Sequence, residues 1–128
     1  MWQPEATDCV IENNIFFRNA VTLGGGDCQG IDFAAEGDGH IIRNNLFFGP
    51  ERTAIQGNSG AYTAAANLED KDLFFANAER GDFHLREVSP AIDSASAQSA
   101  VSVDIENVPR PQGKTCDIGA FEYRKKDR

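Results

Sequence analysis

Asp32 and Gln56 are the residues of this sequence best placed to do chemistry side by side. They sit in Gly30-Ile31-Asp32-Phe33 and Thr53-Ala54-Ile55-Gln56-Gly57, where alternation turns the apolar residues to one face and the polar one to the other. Asp27, Glu36 and Asp38 lie in nearby loops, and Arg52 precedes the second segment. A carboxylate and a carboxamide on one outward face, with acids around them, could hold a sugar or a cation in a shallow contact. The competing reading is a solvated acidic rim, which carries more weight because no spacing here matches a calcium loop.

Other reactive side chains point to structure. His84 could act as a general base in isolation, but it lies between Phe83 and Leu85 with no second histidine nearby, so packing is the expected role. His40 follows Gly39 and reads as a partly exposed turn residue that opens a strand. Ser89, Ser94, Ser96, Ser99 and Ser102 belong to no Gly-x-Ser-x-Gly elbow, and Ser89 before Pro90 is better used as a helix cap. Cys9, Cys28 and Cys116 cannot all pair within one chain and show no C-x-x-C spacing for zinc. They read as small thiols, with a Cys9–Cys28 disulfide as the alternative. Asp93, Asp104, Arg110 and Asp117 form the most specific polar set, and one planar guanidinium could tie such carboxylates and backbone carbonyls into a single structural unit.

The elements that must position these groups are announced by a repeated phrase. Val10-Ile11-Glu12-Asn13-Asn14-Ile15-Phe16-Phe17 returns as Ile41-Ile42-Arg43-Asn44-Asn45-Leu46-Phe47-Phe48. An apolar pair, a charge, two asparagines and an apolar triplet read as one coil of a stacked solenoid. Ile11 and Ile42 are expected to point inward, Asn14 and Asn45 to turn the corner, and Phe16 and Phe47 to point inward on the next strand. Asparagine suits a corner because it tolerates left-handed angles and because its amide can bond to the equivalent residue one coil away. A third, eroded copy is expected at Asn67-Leu68-Glu69-Asp70-Lys71-Asp72-Leu73-Phe74-Phe75, recognised by its Leu-Phe-Phe ending. Residues 1–71 then form the coils. Residues 72–123 form the last coil and a closing cap with a short helical turn over 90–94, and 124–128 form a disordered basic tail.

Composition agrees with one all-β domain over 1–123. Hydrophobic residues make up 41%, enough for a core, and twelve glycines and nine phenylalanines favour short strands broken by turns. A net charge of −8 argues against nucleic acid, since the only basic cluster is Arg124, Lys125, Lys126 and Arg128 at the terminus. No run approaches the roughly 20 apolar residues that span a bilayer, so membrane insertion is not expected, and Met1-Trp2-Gln3-Pro4-Glu5 lacks the pattern of a secretory signal.

Leu73-Phe74-Phe75, Gly81-Asp82-Phe83-His84-Leu85, Ser89-Pro90-Ala91-Ile92-Asp93, Asp104, Arg110-Pro111 and Asp117-Ile118-Gly119-Ala120-Phe121-Glu122-Tyr123 together carry a resemblance. The chain is similar to the C-terminal part of secreted bacterial right-handed parallel β-helix proteins of the pectate-lyase-like superfamily, with a choice-of-anchor Q type ending. The resemblance implies a short right-handed parallel β-helix of about three coils, an extracellular or cell-surface location, and a link to polysaccharide binding or cleavage. Lyases on this fold use a carboxylate or calcium to neutralise a uronate and a Lys or Arg to abstract its proton. Asp32 and Gln56 occupy a comparable outward position, with Asp27 in a nearby loop and Arg52 close by in sequence, but no basic partner stands out as the proton acceptor. A structural or carbohydrate-contacting module is therefore expected, with a fragment or subunit of a polysaccharide lyase or glycosidase as the alternative.

The chain departs from that family ending at Asp104-Ile105-Glu106-Asn107-Val108-Pro109-Arg110, where a glycine commonly stands between the aspartate and the arginine. It also begins in the middle of a coil, so Met1 reads as the start of a fragment. An uncovered first coil would expose Val10, Ile11, Phe16 and Phe17 and bare strand edges, and the expected consequence is self-association, as a two-fold dimer.

Overall fold

The computed structural model describes residues 7–17, 28–33, 37–48, 53–57, 60, 62–70 and 74–125, with backbone alone for some strand residues, Asp32 and Gln56 among them. Eight strands follow the order β1 (Val10–Glu12), β2 (Ile15–Phe17), β3 (Cys28–Phe33), β4 (His40–Arg43), β5 (Leu46–Phe48), β6 (Thr53–Gly57), β7 (Tyr62–Ala65) and β8 (Leu68–Asp70). They form three parallel sheets, β1-β4-β7, β2-β5-β8 and β3-β6. Among the described residues, the strands of each sheet pair in sequence order, β1 with β4 and β4 with β7, β2 with β5 and β5 with β8, and β3 with β6. Two further strands, β9 (Phe75–Asn77) and β10 (Asp82–Leu85), pair antiparallel around a 3-10 turn at Ala78–Arg80. The protein is all-β with parallel sheets, and no α-helix occurs among the described residues.

The asparagine pair divides two tasks between two residues. The first of each pair turns the corner: Asn13 and Asn44 hold φ of 59° and 57°, the left-handed region that asparagine tolerates. The second builds the ladder. Asn45 Oδ1 accepts from the Asn14 N–H (3.0 Å) and Nδ2 (3.1 Å), and Asn67 Oδ1 accepts from the Asn45 N–H (3.1 Å) and Nδ2 (3.1 Å). Each amide also reaches back one coil, Asn45 Nδ2 to Ile11 O and Asn67 Nδ2 to Ile42 O, both at 2.9 Å. The corner expected at Asn14 and Asn45 therefore falls one residue earlier.

The third copy also shifts. Its strands are β7 and β8, and its corner is Ala66 (φ 53°) followed by Asn67, so the ladder asparagine persists and only the corner asparagine is lost. The expected match at Leu73-Phe74-Phe75 is a likeness of residue type. Phe74 lies outside the strands at φ 52°, and Phe75 opens the antiparallel hairpin.

Two hydrophobic clusters share the sheet β2-β5-β8. Ile42, Phe47 and Ile31 are buried inside the coils, with Ile11, Phe16, Ile55 and Tyr62 packed on them. The outer face of the same sheet presents Ile15, Phe17, Leu46, Phe48 and Leu68 to Phe75, Leu85, Ala91, Ala95 and Ile118 of the C-terminal unit. Both faces being covered explains the unbroken apolar triplets Ile-Phe-Phe and Leu-Phe-Phe, which a sheet wetted on one side would not need. The C-terminal unit thus runs along the side of the stack, touching all three coils. Gly119 permits the close approach: at φ 99° it donates its N–H to Asn44 O (2.9 Å), and a Cβ there would lie 2.7 Å from Leu46 Cδ1.

The expected helix over 90–94 is one turn. Ser89 Oγ accepts the Ala91 N–H (3.3 Å) and Ser89 O the Ile92 N–H (3.3 Å), after which Asp93 at φ 54° diverts the chain. His40 also differs from expectation. It is 5% exposed within β4, its Nδ1 accepting the Cys9 N–H at 3.3 Å, because the parallel pairing of β1 and β4 covers it.

Candidate functional site

The most reactive constellation lies on β10. Alternation along that strand puts Asp82 and His84 on one face, next to a groove of about 950 Å³ that Glu106, Glu122, Arg124 and Lys125 also line. Asp82 Oδ1 lies 2.5 Å from His84 Nδ1, and Glu106 Oε2 lies 2.9 Å from Nε2. Asp82 Oδ1 also accepts the backbone N–H of His84 at 3.2 Å, and the imidazole packs on Phe121 with ring centres 4.4 Å apart. Hydrogen bonds from Glu106 and then Asp82 raise the His84 pKa above its ordinary value, while the His84 hydrogen bond lowers that of Asp82.

A carboxylate on each ring nitrogen favours the protonated ring, which donates on both sides. His84 is therefore not a free base, and its ring fills the gap between Asp82 and Glu106 where a hydrolytic pair would need a water. Among the described residues, no serine, threonine or cysteine lines the groove. What the group can do is tie β10 to the turn at 104–107 and offer half-exposed acids beside Arg124 and Lys125. Packing alone, the role expected from sequence, does not describe a side chain that is 48% exposed.

The geometry makes a pH prediction. His84 gains affinity for its proton on folding, so the clasp is complete below the ordinary histidine pKa and is lost as pH rises through the raised one. The effect on stability is small because the three groups are half exposed. The clean readout is an NMR titration of the His84 ring. Glu106→Gln is expected to bring its midpoint back down towards the ordinary value, and an unchanged midpoint would remove Glu106 as the cause.

Asp93, Asp104, Arg110 and Asp117 come together with a fifth residue, Glu122, in a largely buried network. Asp104 Oδ1 accepts the N–H groups of Glu106 and Val108, both at 2.8 Å, and Oδ2 accepts that of Glu122 at 2.9 Å. Asp117 accepts the N–H groups of Asp93 (2.8 Å) and Tyr123 (2.6 Å), and Asp93 Oδ1 accepts that of Thr115 (3.1 Å). Arg110 donates to Asp117 O (2.9 Å) and Gly119 O (2.8 Å) and lies 3.5 Å from Glu122 Oε2. Burial pushes the Asp117 carboxyl up to about 6. The carboxylates thus act as acceptors for backbone N–H groups of irregular chain. Glu122 had no periodic signal, because residues 119–123 are irregular chain.

Asp32 and Gln56 are register partners in β3 and β6, as their spacing suggests. Asp27, Glu36 and Arg52 lie outside the described residues, and Asp38 is exposed. Of the residues expected at the open coil, Ile11 and Phe16 line the interior, Val10 is 51% exposed on the opposite side of β1, and Phe17 packs outward on Phe48 and Phe83 with ring centres 4.8 and 5.0 Å away. Cys9 and Cys116 are free thiols. Among the described residues, no three His, Cys, Asp or Glu side chains are placed to hold a metal ion, and no helix is long and apolar enough to cross a membrane. Compared with family models, curated proteins and solved structures, the chain matches none.

Proposed function

We propose that this chain is a short right-handed parallel β-helix module of a secreted or cell-surface protein, and that it works by self-association through its first coil. The carrying observation is that, among the described residues, β1, β2 and β3 are each the end strand of a parallel sheet, so one end of the three sheets brings three strand edges together. Ile41 N–H donates to Cys9 O and Asn13 N–H to Arg43 O, so Cys9, Ile11 and Asn13 face β4 while the N–H and C=O groups of Val10 and Glu12 point away from it. Ile11 and Phe16 supply the apolar interior of that cross-section. A second copy related by a two-fold axis would cover both edges and interior.

Light scattering of the purified chain is expected to give twice the 13.9 kDa chain mass at micromolar concentration. Val10→Pro removes an outward N–H at the first residue of an edge strand, a position where proline is tolerated, and is expected to return the mass to that of a monomer. Monomeric wild-type protein would sink the reading.

A carbohydrate contact is the second reading, favoured by the half-exposed acids and the terminal bases around the His84 groove. A glycan array with calcium, paired with assays for unsaturated uronate products and for new reducing ends, separates a contact site from a lyase or glycosidase. Binding without turnover supports a contact site, and turnover would restore the lyase or glycosidase remnant.

A further inference from the structure

The two ends of the stack differ at two interior positions, and one of them carries a charge. Pairing of β2, β5 and β8 aligns Phe16 with Phe47 and Phe47 with Glu69. Phe47 is 2% exposed and stacks on Phe16 with ring centres 4.8 Å apart, so this column runs along the inside of the coils. Leu68, the neighbour of Glu69, faces the other way into the outer cluster. Alternation therefore places Glu69 on the inner face, where the first two coils carry phenylalanine. The adjacent column shrinks in the same coil: Ile11 and Ile42 are followed by Ala64, which is exposed, as is Glu69.

The backbone at this end is otherwise fit for stacking. Asn44 N–H donates to Ala65 O, so the N–H and C=O groups of Ala64 point away from β4. Leu68 N–H donates to Asn45 O, which turns the Glu69 backbone groups away from β5 in the same manner. A further coil would find hydrogen-bonding partners there. It would also have to bury a carboxylate against an apolar residue with no cation opposite, and such desolvation is not repaid by edge hydrogen bonds.

We propose that Glu69 is a stop: it makes the third coil a terminus, refuses a second copy at that end, and so confines association to the first coil. An inward-pointing charge on an exposed strand edge is a recognised defence against edge-to-edge growth, and solenoids need a polar surface on their terminal repeats. The inference rests on the reading that copies associate through the first coil, because it explains why such association closes at two copies.

The test uses the full chain and light scattering across the micromolar range. Glu69→Leu is expected to exceed twice the chain mass and to grow with concentration, whereas Glu69→Lys, which keeps a charge inside, holds the wild-type mass. Adding Ala64→Pro to Glu69→Leu blocks the same edge and is expected to restore the wild-type mass. Growth that survives the proline would show a sticky leucine and would overturn the proposal, as would a Glu69→Leu mass equal to wild type at every concentration. Should Glu69→Leu alter the circular dichroism spectrum, Glu69→Ala poses the same question without a large apolar group. The two readings fail separately. A wild-type dimer that Glu69→Leu leaves a dimer removes the stop alone, and a wild-type monomer that Glu69→Leu converts into a growing assembly removes the first-coil dimer alone.

Discussion

Arg110→Ala is expected to destabilise the protein by about 3–5 kcal/mol, the cost of breaking a buried ion pair from one side. The side chains of Arg110 and Glu122 are 1% and 0% exposed, so the glutamate left behind has no water to turn to. The guanidinium also donates to Asp117 O and Gly119 O, which in the variant keep only the longer bonds from Asn13 Nδ2, at 3.4 and 3.5 Å. Glu122 in turn holds the N–H groups of Gln112 (2.9 Å) and Asp117 (3.0 Å), so the loss spreads along the chain that packs on β2-β5-β8. Arg110→Lys rescues only part of this, because a single ammonium cannot serve two carbonyls with the geometry of a planar fork. Chemical denaturation reads the effect as a lower midpoint. The mass in solution at low temperature is expected to stay that of the wild type, because the hydrogen bonds of Arg110 go to Asp117 O and Gly119 O and not to β1, β2 or β3. A midpoint within about 1 kcal/mol of wild type would place Arg110 outside the supporting network, and a changed mass with an unchanged midpoint would make it part of the interface.

How much of this was legible depends on the range of the interaction. The phrase around Asn13-Asn14 and Asn44-Asn45 revealed stacked coils because each copy is local, and the partnership of Asp32 with Gln56 followed once the coils were in register. The third copy was misaligned because ladder partners are 31 residues apart in the first step and 22 in the second, and Leu73-Phe74-Phe75 matched the phrase by residue type. What decides the alignment is the amide of Asn67, a single residue in a weakly conforming segment. The triplets Ile15-Phe16-Phe17 and Leu46-Phe47-Phe48 held a further signal. A strand with no polar residue is covered on both faces, which points to a second layer beside the stack. The His84 clasp was half legible, Asp82 from its i+2 spacing, but Glu106 is brought in by a turn that Asp104 builds with three backbone N–H groups. Such irregular chain has no period to read.

Asn45→Ala is the corresponding test of the stack itself, with an expected cost of about 2–4 kcal/mol from buried polar groups left without partners. Asn45 is 0% exposed, and truncation removes the acceptor of the Asn14 N–H and amide together with the donors to Ile11 O and Asn67 Oδ1. Asn45→Asp keeps the shape and the acceptor but turns a buried oxygen towards Ile11 O and Asn67 Oδ1, so it is expected to cost at least as much as alanine. The end of the ladder supplies the control. Asn14 is exposed, and its Nδ2 bonds Glu12 O within its own coil at 3.0 Å, so water can replace what Asn14→Ala removes. The ladder therefore predicts a gradient, with Asn45→Ala well below Asn14→Ala in denaturation midpoint. Equal losses would mean that the two asparagines act only through their own corners, and the amide column would not be what holds one coil to the next.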